Sequence, residues 1–115
     1  MHELAATENI LATAVRAGQE HGARSIQGIR IEVGRYSGLL PEFVRKYFAI
    51  VSRGTIAEGA VLSFVEQPVR IRCASCGGEN CLGGDDPPVC PSCGSEDFRI
   101  LSGFDIRIIQ IEVPE

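Results

Sequence analysis

The chain lacks the features that mark membrane insertion, export and catalysis. No apolar run approaches the ~20 residues that a bilayer-spanning helix needs. The N-terminus has neither the basic nor the apolar region of a secretory signal, so a reducing, cytoplasmic setting is expected. Positive charge is scarce: 11 Lys and Arg stand against 15 Asp and Glu, for a net charge of −4. Between Arg70 and Arg99 the basic residues are Arg70, Arg72 and Arg99, outnumbered by Glu79, Asp85, Asp86, Glu96 and Asp97. Phosphate contacts need clustered Lys and Arg, so no nucleic-acid partner is expected. There is no P-loop, no Ser/His/Asp arrangement and no paired-carboxylate site. A hydrolase or NTPase activity therefore has no residues to carry it, and the chain reads as a non-enzyme.

What is present centres on cysteine. Cys73-Ala74-Ser75-Cys76-Gly77-Gly78 and Cys90-Pro91-Ser92-Cys93-Gly94 form two hooks, each with Gly directly after its second cysteine. Tetrahedral zinc takes four soft ligands, and two Cys-x-x-Cys turns can supply them from opposite sides of one ion. The stretch between the hooks holds Gly78, Gly83, Gly84, Asp85, Asp86, Pro87 and Pro88 and no apolar run, so metal binding and local folding are expected to be one event. Cys73, Cys76, Cys90 and Cys93 are the candidate ligands of a structural Zn(II). A disulfide framework fits poorly with an odd count of five cysteines. A redox dithiol is expected at the start of a helix, whereas both hooks run into Gly. The fifth cysteine, Cys81, reads as a free thiol in the intervening loop, with an alternative-ligand or redox role as the sharper reading.

At 115 residues the chain is one compact domain, or one domain with a small inserted module. A chain this long buries roughly 65% of its unfolded surface, enough for a core outside the hooks. Helical periodicity over Glu3 to Gln19 puts Leu4, Leu11, Ala14, Val15 and Gly18 near one face, with His21 and Gly22 as closing residues. Ser25 to Gly34 alternates through Ile29, Ile31 and Val33, as a strand with one wet side does. Pro41 suits the first position of a second helix carrying Phe43, Val44, Tyr47, Phe48 and Val51 and ended by Gly54. Val61 to Glu66 is a strand ended by Gln67-Pro68, and Val69–Arg72 and Phe98–Ile100 alternate into and out of the hooks. Phe104 to Val113 is the last strand. Its phase slips at Ile109, which either a bulge or a strand buried on both faces explains. These elements predict an α+β fold: a small mixed three-stranded sheet with two helices and an inserted zinc-ribbon or knuckle module. Residues 1–68 and 101–115 form the α/β part and 69–100 the module. The simplest pairing sets Val61–Glu66 antiparallel to Phe104–Val113, with Ser25–Gly34 joined to Val61–Glu66 by a right-handed crossover.

The start, Met1-His2-Glu3, invites a second metal reading. The Met1 amine and the His2 amide and imidazole can close adjacent chelate rings, and Glu3 can add its amide or its carboxylate. Three nitrogens in a plane suit Ni(II) or Cu(II). The helix dipole opposes a cation there, although the first helical amides have no internal partners. A histidine in second position is more often simply solvated, and both readings stay open on chemistry alone. His21 reads as a helix-end residue favouring the dipole rather than as a ligand.

Taken together, Met1-His2-Glu3-Leu4 opening a helix, the hooks Cys73-x-x-Cys76 and Cys90-x-x-Cys93, and the final apolar strand resemble the HypA/HybF family of nickel-insertion proteins for nickel–iron hydrogenase maturation. The resemblance covers the whole chain. It implies a non-catalytic metallochaperone in which His2 is the essential nickel ligand, assisted by Met1 and Glu3, while the four hook cysteines hold zinc. It implies as partners a nickel-handling maturation GTPase and the hydrogenase large-subunit precursor, with urease accessory proteins for some members. A monomer or a homodimer is expected. Some members place an acidic residue near the start of the second helix. Here that region reads Leu39-Leu40-Pro41-Glu42, which leaves Glu42 as the candidate. Two readings from other classes stand beside it: a zinc-ribbon module for protein or nucleic-acid interaction, with His2 incidental, and a thiol oxidoreductase.

Overall fold

The computed structural model describes residues 2–83 and 86–114. The elements in chain order are α1 (His2–Glu20), β1 (Gly28–Gly34), α2 (Pro41–Val51), β2 (Val61–Gln67), β3 (Val69–Cys73), β4 (Glu79–Leu82), β5 (Phe98–Ile100) and β6 (Ile106–Glu112). They build two three-stranded sheets, ordered β2-β1-β6 and β4-β3-β5. The molecule is elongated, 52 × 28 × 19 Å, and carries two hydrophobic cores. Among the described residues no helix is long and apolar enough to cross a membrane.

In α1 the core-facing row is Thr7, Ile10 and Ala14, with Gly18 one turn on. This row lies slightly to one side of the Leu4–Leu11–Val15 row that periodicity favours, because α2 takes up the neighbouring flank, where Leu11 and Val15 end half-buried. Thr7 is fully buried, and its hydroxyl donates to the Glu3 carbonyl, so that hydroxyl is satisfied. Pro41 starts α2, where its missing N–H costs nothing, and Val44 and Phe48 face the sheet. Each such fully buried side chain contributes about 1.5–3 kcal/mol.

The strand order corrects one expectation. β2 and β6 are not neighbours: β1 lies between them, parallel to β2 and antiparallel to β6. The reason is burial. Ile29 and Ile31 of β1 are 1% and 0% exposed, a degree of cover that requires a partner on each side. β2 has already filled one edge when it leaves through Pro68 into β3, so the returning β6 docks on the other and covers α1 with Ile106, Ile108 and Ile111. The phase slip in β6 is a bulge: Arg30 pairs with Gln110 and Ile31 with Ile108, so Ile109 is the extra residue. It turns outward and Ile108 and Ile111 stay inward.

The second sheet contains one strand that alternation did not reveal. β4 is only four residues long, with a single buried apolar residue, Leu82. It pairs with β3, whose Val69, Ile71 and Cys73 join Leu82 and Cys90 in the smaller core, flanked by Phe98 and Ile100. Between the sheets the chain crosses twice, once through Pro68 alone and once through residues 101–105. The return segment is tied on both sides. Leu101 N–H donates to the Arg70 carbonyl (2.7 Å), Tyr36 N–H to the Gly103 carbonyl (2.8 Å), and Gly34 N–H to the Asp105 carbonyl (2.8 Å). Asp105 N–H donates to Oε1 of Gln67 (3.2 Å), and Ser102 Oγ to the Pro68 carbonyl (2.9 Å).

Candidate metal centre

The two hooks fold into near-identical turns. In the first, Gly77 N–H donates to the Cys73 carbonyl (2.9 Å) and Cys73 N–H to the Gly78 carbonyl (2.9 Å). In the second, Gly94 N–H donates to the Cys90 carbonyl (2.7 Å) and Cys90 N–H to the Ser95 carbonyl (2.8 Å). Gly77 and Gly94 have φ of 73° and 76°, the left-handed conformation that explains a glycine directly after each second cysteine. β3 delivers Cys73, and the contact of Ser75 Oγ with Ser95 Oγ (2.9 Å) holds the turns face to face.

All four sulfurs converge. Cys73 Sγ lies 3.5 Å from Cys93 Sγ and Cys76 Sγ 3.8 Å from Cys90 Sγ, with all four within 4.8 Å of one another. Four thiolates at ~2.3 Å around a tetrahedral ion would sit about 3.8 Å apart, so the donor set and its spacing suit a structural metal site. Among the described residues no other group of His, Cys, Asp and Glu is arranged to hold an ion. Amide donors point at the sulfurs as well, Cys76 N–H at Cys73 Sγ (3.4 Å) and Asn80 Nδ2 at Cys90 Sγ (3.6 Å). The Cys76 amide is the main influence that draws the Cys73 thiol down to about 6, with Cys93 and Ser75 helping and burial opposing. At Cys93 the Ser95 amide pulls downward, but Cys73, burial, Cys90 and Cys76 outweigh it and push the thiol up to about 12. The Cys73 thiol is thus drawn down and the Cys93 thiol pushed up within the same cluster.

Asn80 escaped the sequence reading. It lies on β4, donates to Cys90 Sγ and accepts from Ser92 Oγ (3.2 Å), so it braces the second hook from the strand. Only the unrecognised strand could have flagged it. Cys81 is a correction: it is not in a loop but on β4, exposed and opposite Arg70, with its side chain directed away from the four-sulfur cluster.

At the other end, Met1 and the His2 side chain lie outside the described residues; the backbone of His2 opens α1. The Glu3 carboxylate accepts the N–H of Leu40 (3.3 Å), the residue that caps α2, so the two helices start side by side. Glu42 stands exposed in the first turn of α2. His21 is just past the far end of α1, about 27 Å of helix rise from Glu3, and cannot join a site there.

Comparison with known proteins places this geometry. A family model described as "Hydrogenase/urease nickel incorporation, metallochaperone, hypA" matches residues 1–113. The chain is 38% identical over 120 residues to the hydrogenase maturation factor HypA of Dehalococcoides mccartyi (strain CBDB1), covering 100% of this chain and 96% of that one. It is 34% identical over 113 residues to the HypA of Acidithiobacillus ferrooxidans (strain ATCC 53993 / BNL-5-31), covering 98% and 99%. The solution structure of the Ni metallochaperone HypA from Helicobacter pylori has the same fold, with a TM-score of 0.72 at 21% identity over 98% of this chain and 97% of that one. With its two helices, paired three-stranded sheets and four-cysteine cluster, and a match that runs nearly end to end, the chain belongs to the HypA family of hydrogenase maturation factors.

Proposed function

We propose that this protein is a nickel metallochaperone that takes Ni(II) at its N-terminal end and delivers it during maturation of nickel–iron hydrogenase, with urease as a second recipient. The observation that carries the reading is the family match over residues 1–113, which includes Met1-His2-Glu3 and both cysteine hooks. His2 is the principal nickel ligand, with Met1 and Glu3 assisting and Glu42 nearby on α2. Proton competition at the amine, amide and imidazole makes such a site modest in affinity, which suits delivery rather than storage. Cys73, Cys76, Cys90 and Cys93 hold Zn(II), which cross-links the two hooks when bound and leaves no open position for a substrate. Residues 69–100 act as the zinc module, and residues 1–68 with 101–115 as the unit that handles nickel. The protein works in the cytoplasm without catalysing a reaction, with a maturation GTPase and the hydrogenase large-subunit precursor as partners.

Nickel titration by calorimetry tests this on the zinc-loaded protein, a His2→Ala variant and a chain extended by a few residues ahead of Met1. The two altered chains are expected to bind nickel at least about tenfold more weakly, each having lost a nitrogen donor. Equal binding by all three overturns the assignment.

A further inference from the structure

The module has two faces, and only one belongs to the metal centre. Strand alternation sends Val69, Ile71 and Cys73 inward and Arg70 and Arg72 outward. Cross-strand register then sets Glu79 of β4 opposite Arg72, and Arg99 of β5 opposite the same Arg72 from the other side. The outer face therefore gathers all three arginines of the segment, although the linear sequence there is acidic overall. Arg70 and Arg72 side chains are 53% and 60% exposed. One carboxylate serves both: Glu79 Oε2 lies 3.4 Å from Arg70 Nη2, and Oε1 lies 3.0 Å from Arg72 Nη2. Arg99, also exposed, has no ion pair among the described residues.

Like charges placed directly opposite on antiparallel strands are destabilising, and Arg72 and Arg99 form such a pair. Glu79 offsets this at Arg72 but not at Arg99, so the small sheet gives up stability to hold the third guanidinium on this surface. Local rules broken without a local gain are expected where a surface serves another purpose.

We propose that this arginine face is the docking surface for an acidic segment of a partner protein. Charge complementarity identifies the occupant: guanidinium forks recognise carboxylates bidentately, and among the described residues the three arginines of this face are ion-paired only to the single carboxylate of Glu79. The patch is three strands wide, a size that suits two or three carboxylates on an extended peptide. A nucleic acid would carry its charge beyond the patch into a chain of net charge −4, with Glu96 and Asp97 beside β5. The proposal does not depend on the nickel site, and it assigns the module an active part in partner choice and association rate.

The test uses the zinc-loaded full chain and a fluorescent six-residue peptide carrying three glutamates, with a hexauridylate as competitor, read by anisotropy at two salt concentrations. Peptide binding is expected to weaken on raising salt, and about fivefold or more in Arg99→Glu and in Arg72→Gln/Arg99→Gln, with nickel binding unchanged. Arg99→Glu is also expected to raise the melting temperature, since it converts a like-charge pair into an opposite one, so binding and stability move in opposite directions. No peptide binding, equal binding by parent and variants, or tighter binding of oligouridylate than of peptide each overturns the proposal. A loss of binding accompanied by a lowered melting temperature does so too, because it makes the arginines structural.

Discussion

Gly34→Ala, at the end of β1, tests the reading of the junction between the two sheets. An added Cβ at this position would overlap the carbonyl oxygen and carbon of Gly103 and lie 2.9 Å from Gln67 Oε1. Backbone cannot yield as a side-chain tip can, so the return segment must retreat by about an ångström, and overpacking of this kind costs about 1–3 kcal/mol. The same retreat strains three hydrogen bonds: Gly34 N–H to Asp105, Tyr36 N–H to Gly103, and Asp105 N–H to Gln67. Each is worth about 0.5–1.5 kcal/mol, so with all three lost the total comes to roughly 2.5–7.5 kcal/mol. For a domain of this size that lowers the melting temperature on the order of 15 °C or more. The control is Gly28→Ala at the start of the same strand, where the new Cβ meets the carboxylate tip of the exposed Glu112 at 3.1 Å and Val61 O at 3.5 Å. That change should be neutral, or stabilising by up to about 1 kcal/mol through the less flexible unfolded chain. Urea unfolding of the two zinc-loaded variants measures the difference. A Gly34→Ala protein within about 1 kcal/mol of Gly28→Ala would refute the account of a tightly packed junction.

Metal retention by the four-cysteine cluster should fall with acidification. Because the cation needs thiolates, it displaces the Cys93 proton at any pH below about 12 but the Cys73 proton only below about 6. A plot of log affinity against pH, measured by chelator competition, should therefore steepen by one proton on falling through about 6, and a constant slope refutes it. Asn80→Ala removes the donor to Cys90 Sγ and the acceptor for Ser92 Oγ, and is expected to weaken zinc binding about tenfold with the ligands intact. Cys81→Ser should leave zinc stoichiometry unchanged and stability within about 0.5 kcal/mol, by mass spectrometry of the native protein and thermal melting.

The parts of this fold visible in the linear sequence are those that local chemistry dictates. Cysteine spacing and the glycine after each hook mark a turn that needs φ near +75°, and Cys73, Cys76, Cys90 and Cys93 do converge. The interrupted alternation at Ile109 marks an irregularity but fits either a bulge or a strand buried on both faces, and only the register against β1 decides for the bulge. Strand order was hidden, since nothing local to Val61–Gln67 or Ile106–Glu112 says that β1 lies between them. Net charge was misleading in the same way. A count along 70–99 is negative, yet register brings Arg70, Arg72 and Arg99 to one face. Thr7 and Asn80 were missed because a polar residue looks solvated until its partner, the Glu3 carbonyl or the Cys90 sulfur, is known.

The late arrival of β6 bears on how the chain folds. β1 precedes its second neighbour β6 by about 70 residues, and about 40 residues separate β2 from β6. As a flexible loop that excursion opposes closure. Once the module folds, Pro68 at its entry and residues 101–105 at its exit lie side by side, tied by Ser102 and Leu101 to Pro68 and Arg70. The effective loop then shrinks to a few residues, which lowers the entropic cost of docking β6 by about 2 kcal/mol. Metal supply to the four-cysteine cluster should therefore set the pace at which the larger sheet closes, although none of the four cysteines belongs to that sheet.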